Sequence, residues 1–380
     1  MRSANWKKNF FMNKHFKAYP SPQNLGYFWN FGSLLGLSFI IQLLTGISLA
    51  MYYTPHVNLA FLSVESIMRD VLGGWYLRYL HSNMASFFFF FIYFHVLKAL
   101  LLKSYHIQNS MLWLSGLIIF FLLAGTAFLG YVLPWGQMSL WGATVITNLI
   151  TAIPFIGKNL VIWIWGNFSI NDSALKRFFT LHLILPFTLL GLIIIHILIL
   201  HLKGSSAILG SFIFVDFLIF FPYYIYKDIL GLLLAFIFIY FILISLPNFL
   251  VGHPDNSIFA NFLVTPFHIV PEWYFLPFYA ILRSIPDKLG GVLAMGSSMF
   301  IFFFKCFIDY SLPQAAYFRP VIIYILFFFV FIFICLKIFG SLPIEEPFFS
   351  VSQIVSSVYY SIIAGFYPVF AIIEICFYLI

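Results

Sequence analysis

Charge is what this chain has least of. Only 8% of its 380 residues are Asp, Glu, Lys or Arg, against roughly 25% in a soluble globular protein, so a soluble enzyme or binding domain is excluded. Cysteine is nearly missing as well. Cys306, Cys335 and Cys376 lie far apart in apolar runs and no Cys-x-x-Cys-His occurs, which argues against disulfides, zinc and covalently attached haem. The segment up to Trp29 is polar, aromatic and basic rather than an apolar core before a small-residue cleavage site, and no cleaved signal peptide is expected.

What is present is apolar surface: 63% hydrophobic residues, 22% aromatic and a mean hydropathy of +1.01. About 20 apolar residues cross a bilayer, and eight stretches are long enough: residues 30–52, 75–102, 111–133, 176–201, 226–246, 287–308, 319–339 and 348–378. The expected fold is an all-α polytopic membrane protein with eight transmembrane helices. It divides into an N-terminal segment 1–29, a four-helix bundle 30–202 with a structured loop 134–175, a loop 203–225, and C-terminal helices 226–380 with a loop 247–286. The two long loops hold enough apolar and aromatic residues to pack. With eight spans both termini share a side. That face collects eleven Lys/Arg against four acidic residues, and the other face eight against eight. The whole +7 thus lies on the terminal face, which the positive-inside rule directs to the cytoplasm or matrix. No nucleic-acid partner is needed to explain it.

The second and fourth spans each carry two histidines at one matched interval, His81 with His95 and His182 with His196. That interval is almost four helical turns, so each pair shares a helix face at a separation of about 21 Å. The two helices run in the same direction, which levels His81 with His182 and His95 with His196. A lone histidine in a membrane is commonly an interhelical hydrogen-bonding contact, but an ionisable group there is costly, and four at matched depths point to ligands. Zinc wants a tetrahedral set in a polar shell, whereas two axial imidazoles from facing helices suit a six-coordinate haem in a bundle. The first and third spans repeat the spacing with Gly32 and Gly46, and with Gly116 and Gly130. These leave room for a flat macrocycle at the same two levels, or else serve ordinary small-residue packing. Arg78 and Lys98 stand one turn outside His81 and His95, where they can pair with propionates or snorkel to the interface.

Longer motifs then carry a resemblance: Gly-Tyr-Val-Leu-Pro-Trp-Gly-Gln-Met-Ser at 130–139, Trp-Gly-Ala-Thr-Val-Ile-Thr-Asn at 141–148, Pro-Glu-Trp-Tyr at 271–274 and Tyr-Ala-Ile-Leu-Arg-Ser-Ile-Pro at 279–286. The chain resembles mitochondrial cytochrome b, the di-haem membrane subunit of ubiquinol:cytochrome c oxidoreductase (respiratory complex III), over nearly its whole length. The resemblance implies that His81 and His182 ligate a low-potential b haem near the outer face, and His95 and His196 a high-potential b haem near the matrix face. It implies a quinol-oxidising site at Glu272, where Trp273, Tyr274, Phe275, Phe128 and Tyr131 would make an apolar setting that raises the carboxyl pKa, with Tyr279 and Ile146 lining the same pocket. It implies a quinone-reducing site at His201, Ser205 and Asp228, and cardiolipin near Lys227.

A Q-cycle in the mitochondrial inner membrane follows, with both termini in the matrix, a Rieske iron-sulfur subunit and cytochrome c1 as partners, and a dimer of complexes. The chain departs from the family at Gly252-His253-Pro254-Asp255-Asn256, at Ser206-Ala207-Ile208-Leu209, at Phe221 and at Val270, and has two additional residues between His95 and Gly116. The plastid-type homologue spaces its second histidine pair one residue wider and splits the chain. A proton-relaying transporter and a haem-free scaffold are the other readings weighed, and neither accounts for the paired ligands and glycines together.

Overall fold

The computed structural model describes residues 19–106, 109–207, 217–247, 252–308 and 319–379. The charges counted at Arg2, Lys7, Lys8, Lys14, Lys17, Asp216 and Asp309, the side chains of Lys203 and Glu374, and the departures at Ile208 and Leu209 lie outside what is described. In chain order the helices are α1 (Phe31–Ala50), α2 (Ala60–Asp70), α3 (Gly74–Leu101), α4 (Ser110–Val132), α5 (Gln137–Asn148), α6 (Gly157–Trp165), α7 (Asp172–Lys203), α8 (Tyr223–Ser245), α9 (Leu276–Ser284), α10 (Lys288–Ile308), α11 (Pro320–Ser341), α12 (Phe348–Tyr360) and α13 (Tyr367–Leu379).

Eight spans among the described residues are long and apolar enough to cross a membrane: α1, α3, α4, α7, α8, α10, α11 and a continuous α12–α13 joined through a π-helical turn at Ser361–Phe366. Along α7 the flanks are exposed and apolar, as at Leu181, Ile184, Phe187, Ile194 and Ile195. Apolar residues turned outward on a helix this hydrophobic call for apolar surroundings, since contact with water would be costly over so large an area.

The largest differences from the expected boundaries are at the starts of α7 and α8. Helix α7 starts at Asp172 rather than at 176, because the Asn171 side chain caps it by accepting from the Ser173 amide and Asp172 sits in the first turn. The apolar run that marks the start in the sequence omits this polar first turn. Helix α8 likewise begins at Tyr223, ahead of residue 226. Helix α2, in the connector after α1, has too few apolar residues to register as a span and falls outside the expected elements.

Antiparallel neighbours α1 and α3 pack tightly, as do α4 and α7. The long loops are occupied by α5, α6 and α9, with α9 seated against α10, α11 and α12. The loops also clamp each other. Gln137 N donates to Ile258 O at 3.0 Å, Ser139 N to Asn256 Oδ1 at 2.9 Å, and a Cβ at Gly136 would overlap the Asn256 carbonyl. The departure at His253 is absorbed here: its Nδ1 accepts from Asp255 N at 3.3 Å and caps the short turn Pro254–Ser257, a capping task that suits the aspartate usual in the family. On the opposite side of the molecule β1 (Pro20–Pro22) pairs antiparallel with β2 (Phe217–Ile219) and ties the N-terminal segment to the loop after α7.

At the α9–α11 crossing a Cβ on Gly340 would overlap the Leu276 carbonyl. Gly340→Ala is therefore expected to cost about 1–3 kcal/mol through overpacking, seen as a lower unfolding midpoint of the detergent-solubilised protein. The neighbouring Ser341→Ala, at an exposed site, should leave it unchanged; equal midpoints for both variants would refute the close contact.

Candidate functional site

The structure brings the His81 and His182 rings together in a perpendicular, edge-on arrangement. Their ring centroids are 6.2 Å apart with planes at 86°, and both rings line one cavity with Gly46, Gly130, Gln42, Arg78, Tyr131, Glu272 and Tyr274. The nitrogens turned away from the partner ring are engaged: His81 Nδ1 lies 2.8 Å from Thr45 Oγ1, and His182 Nδ1 2.8 Å from the Thr126 carbonyl. A carbonyl only accepts, so His182 carries its proton on Nδ1. The Thr45 hydroxyl already donates to Ile41 O at 2.6 Å, so its oxygen accepts and His81 too is protonated on Nδ1. Both rings therefore present the lone pair of Nε2, which has no hydrogen-bond partner among the described residues. Two imidazoles bound to one metal through bonds of about 2 Å have centroids about 6 Å apart, so the pair fits axial ligation of one iron.

The second pair lies deeper along the same helices. His95 and His196 are within electrostatic range of each other and of Lys98. His196 Nδ1 is 2.8 Å from Ser115 Oγ, while His95 Nδ1 is buried with no partner among the described residues.

The four glycines do something more local than leave space for a macrocycle. Each lies against one imidazole: a Cβ at Gly32 would stand 3.8 Å from His95 Cε1, at Gly46 3.0 Å from His81 Cε1, at Gly116 3.3 Å from His196 Cε1, and at Gly130 it would overlap the His182 ring. Helix α1 makes room for the histidines of α3, and α4 for those of α7. The interval shared by histidines and glycines is thus a ring-to-glycine register between packed helices.

Glu272 reaches the same cavity. It hydrogen-bonds Tyr131 and feels the charge of Arg78. Burial pushes its carboxyl pKa up to about 7, while the Arg78 charge and the Tyr131 hydrogen bond hold it back from rising further. The segment carrying it is pinned to α3: Trp273 Nε1 donates to Ser86 Oγ at 3.1 Å, the Tyr93 hydroxyl to Tyr274 O at 2.5 Å, and Tyr274 stacks on Phe89 with centroids 3.9 Å apart.

Of the residues expected beside Glu272, Tyr131 and Tyr274 line this cavity, whereas Trp273, Phe275, Phe128, Ile146 and Tyr279 do not. Phe128 packs on Phe178 at 6.2 Å, Ile146 is half-buried on α5, and Tyr279 donates to Ile269 O at 3.3 Å beneath the Arg283 guanidinium. Phe128 thus turns from α4 toward α7, and Ile146 and Tyr279 belong to the α5 and α9 parts of the loops.

Near the opposite end of α7 His201 packs at a tilt of 36° against Tyr19 with centroids 4.6 Å apart, and the Tyr19 hydroxyl is 3.4 Å from Ser205 Oγ. Asp228 Oδ1 accepts from Ser33 Oγ at 3.1 Å. Lys227 Nζ donates to Leu25 O at 2.5 Å and sits 5.0 Å over the Tyr27 ring, and Lys98 Nζ lies 5.8 Å from the Trp29 ring. His201 and Asp228 thus occupy two separate sets of partners, one built on Tyr19 and the other at the start of α1.

Comparison with known proteins shows the family of this chain. The family described as cytochrome b/b6/petB matches residues 16–204 and that described as cytochrome b(C-terminal)/b6/petD matches residues 259–360. The chain belongs to the cytochrome b family. It is 51% identical to cytochrome b of Chondrus crispus, over 96% of this chain and 95% of the other, and 50% identical to that of Phytophthora megasperma, over 93% and 92%. Its fold is similar to a chain of a hyperthermophilic respiratory complex III, with a TM-score of 0.90, 29% identity and 98% coverage of both. Membership of this family implies b haem binding.

Thr45, Ser115, Gln42 and Tyr19 are not singled out by the sequence. Thr45 and Ser115 each immediately precede one of the paired glycines, and that position is the signal that could have found them.

A carboxyl with pKa near 7 is protonated below neutrality and ionised above it. Difference infrared spectra of the purified protein should therefore show a protonated-carboxyl band that is lost as pH rises through about 7 and is missing in Glu272→Gln. A band lost near pH 4.5, the ordinary value for a glutamate, would show that Glu272 is solvated instead.

Proposed function

We propose that this chain is the membrane core of a respiratory ubiquinol:cytochrome c oxidoreductase and holds two b haems, one between His81 and His182 and one between His95 and His196. The observation that carries this is the opposed His81–His182 pair, 6.2 Å and 86° apart, with both Nδ1 atoms committed elsewhere. Bound haem supplies reversible one-electron iron chemistry, which lets the two electrons of a quinol leave separately. The chain's own share is ligation, spacing and proton handling. The histidine interval sets the two iron levels about 21 Å apart along α3 and α7. Arg78 lines the first cavity and Lys98 stands near the second pair, so each level has a cation for propionates. The haem-binding domain is the bundle 30–202, and the C-terminal helices from 226 onward form the second.

At the outer level Glu272 is the group that takes a proton from quinol. A carboxylate with pKa about 7 is ionised in about half the molecules at neutral pH and is a competent base there. Tyr131 and Arg78 orient and partly neutralise it. Tyr274 positions it through its stack on Phe89. At the opposite face His201, Ser205 and Asp228 are the proton-bearing groups beside a quinone that must gain two protons on reduction; Tyr19 holds the His201 ring and the Ser205 hydroxyl together. Phe128, Ile146 and Tyr279 shape the surroundings of the outer site. Lys227, with its ammonium at the membrane surface, takes an anionic lipid such as cardiolipin. Partners are the Rieske iron-sulfur subunit and cytochrome c1 within a dimer of complexes, in a mitochondrial inner membrane with the termini in the matrix.

A dithionite-reduced minus oxidised spectrum of the purified complex, followed by a redox titration, tests this reading. Two one-electron b-type components are expected, with His182→Ala abolishing the outer and His196→Ala the inner one. Folded complex without b-type absorbance overturns it. In the same preparation Glu272→Gln should flatten the pH profile of quinol oxidation near pH 7 and slow it about tenfold or more.

A further inference from the structure

The four axial histidines are not answered alike. At the outer level His182 Nδ1 donates to a backbone carbonyl and His81 Nδ1 to the Thr45 hydroxyl. At the inner level His95 Nδ1 has no partner among the described residues, and His196 has the Ser115 hydroxyl alone, at 2.8 Å. The Ser115 proton goes to Leu112 O at 2.9 Å. The oxygen is then an acceptor polarised by its own donation, and His196 must be protonated on Nδ1. Geometry makes this contact hard to replace. Gly116, the next residue, is the one whose missing Cβ admits the His196 ring, a Cβ there standing 3.3 Å from Cε1. A dipeptide of hydroxyl and glycine therefore seats one imidazole twice, by a hydrogen bond and by a gap. Thr45 and Gly46 repeat the device on α1 for His81, with Cε1 at 3.0 Å.

An acceptor on Nδ1–H pushes electron density onto Nε2, makes the imidazole a more basic ligand and favours ferric over ferrous iron. The outer level has two such acceptors, one of them a carbonyl; the inner level has one hydroxyl. We propose that Ser115 is the positioning residue that sets the potential of the inner iron, because it supplies the one acceptor found for either histidine at that level among the described residues. The inference rests on His95 and His196 being haem ligands, as proposed above. Removing the hydroxyl leaves both inner imidazoles without an acceptor, so the ferrous state gains and the midpoint of the inner component rises, moving further from that of the outer one. Thr45→Val, by contrast, would leave His182 with its carbonyl and should shift the outer component less.

The test is a redox titration of the b-type bands in the intact complex carrying Ser115→Ala, Ser115→Thr or no change. In Ser115→Ala the ferrous-to-ferric ratio of the inner component at fixed potential should rise at least threefold, about 28 mV at 59 mV per tenfold for one electron, with the outer component unmoved. Ser115→Thr keeps the hydroxyl and should titrate like the parent. The outer component reports folding in each sample. An unchanged inner midpoint in Ser115→Ala, equal shifts of both components, or a Ser115→Thr that behaves like Ser115→Ala would each refute the assignment. Absence of two components in the parent complex would refute the haem reading itself, which the titration distinguishes from failure of the Ser115 role.

Discussion

An imidazole buried in a membrane has two nitrogens, and both must be given something to do. Water is not there to help, and an unmet polar group in hydrocarbon is costly. In this chain the requirement organises the first half of the molecule. Committing Nδ1 of His81, His182 and His196 to hydroxyls or a carbonyl fixes the tautomer, fixes the ring orientation and leaves Nε2 as the only free lone pair. The glycines answer the steric half of the same demand. A flat ring with a fixed edge needs a neighbouring helix without a side chain at that height, and Gly32, Gly46, Gly116 and Gly130 each meet one ring. Close packing of α1 on α3 and of α4 on α7 is the consequence, because a helix can approach an imidazole this nearly only where its Cβ is gone.

The long loops then become intelligible. A cavity lined by two histidines has to be closed at the membrane face, and loop residues do it by main-chain and side-chain clamps such as Ser139 to Asn256 and Tyr93 to Tyr274. The closure buries Glu272, and burial is what moves its carboxyl into the neutral range. One carboxylate in that lid is tolerable since Arg78 and Tyr131 share the cost of its charge. The burial of Glu272 and the rise of its carboxyl pKa are thus two results of one loop packing.

Much of this is legible in the sequence. The eight spans are readable because lipid allows few alternatives to a long, uninterrupted apolar helix. The paired histidines are readable because their interval is nearly a whole number of turns, so a linear spacing translates into a shared face. What cannot be read is what depends on neighbours distant in sequence. Thr45 and Ser115 are ordinary helix hydroxyls until a histidine 36 or 81 residues away is set against them. Tyr19 joins His201 and Ser205 only because β1 pairs with β2 and brings it onto His201, a ring near the far end of α7. Ile146 and Tyr279 are grouped with Glu272 by motif and Phe128 by its place on the third span, and neither says which way a side chain turns.

The departures from the family obey the same logic. His253 stands where an aspartate is usual, yet its Nδ1 accepts from the Asp255 amide and the turn at Pro254–Ser257 is kept. What the position demands is an acceptor for an amide, and an imidazole nitrogen with a free lone pair offers one. The loop that packs over the Glu272 cavity therefore keeps its shape by the rule that seats His81, His182 and His196, namely that Nδ1 is matched to a donor or an acceptor of the right kind.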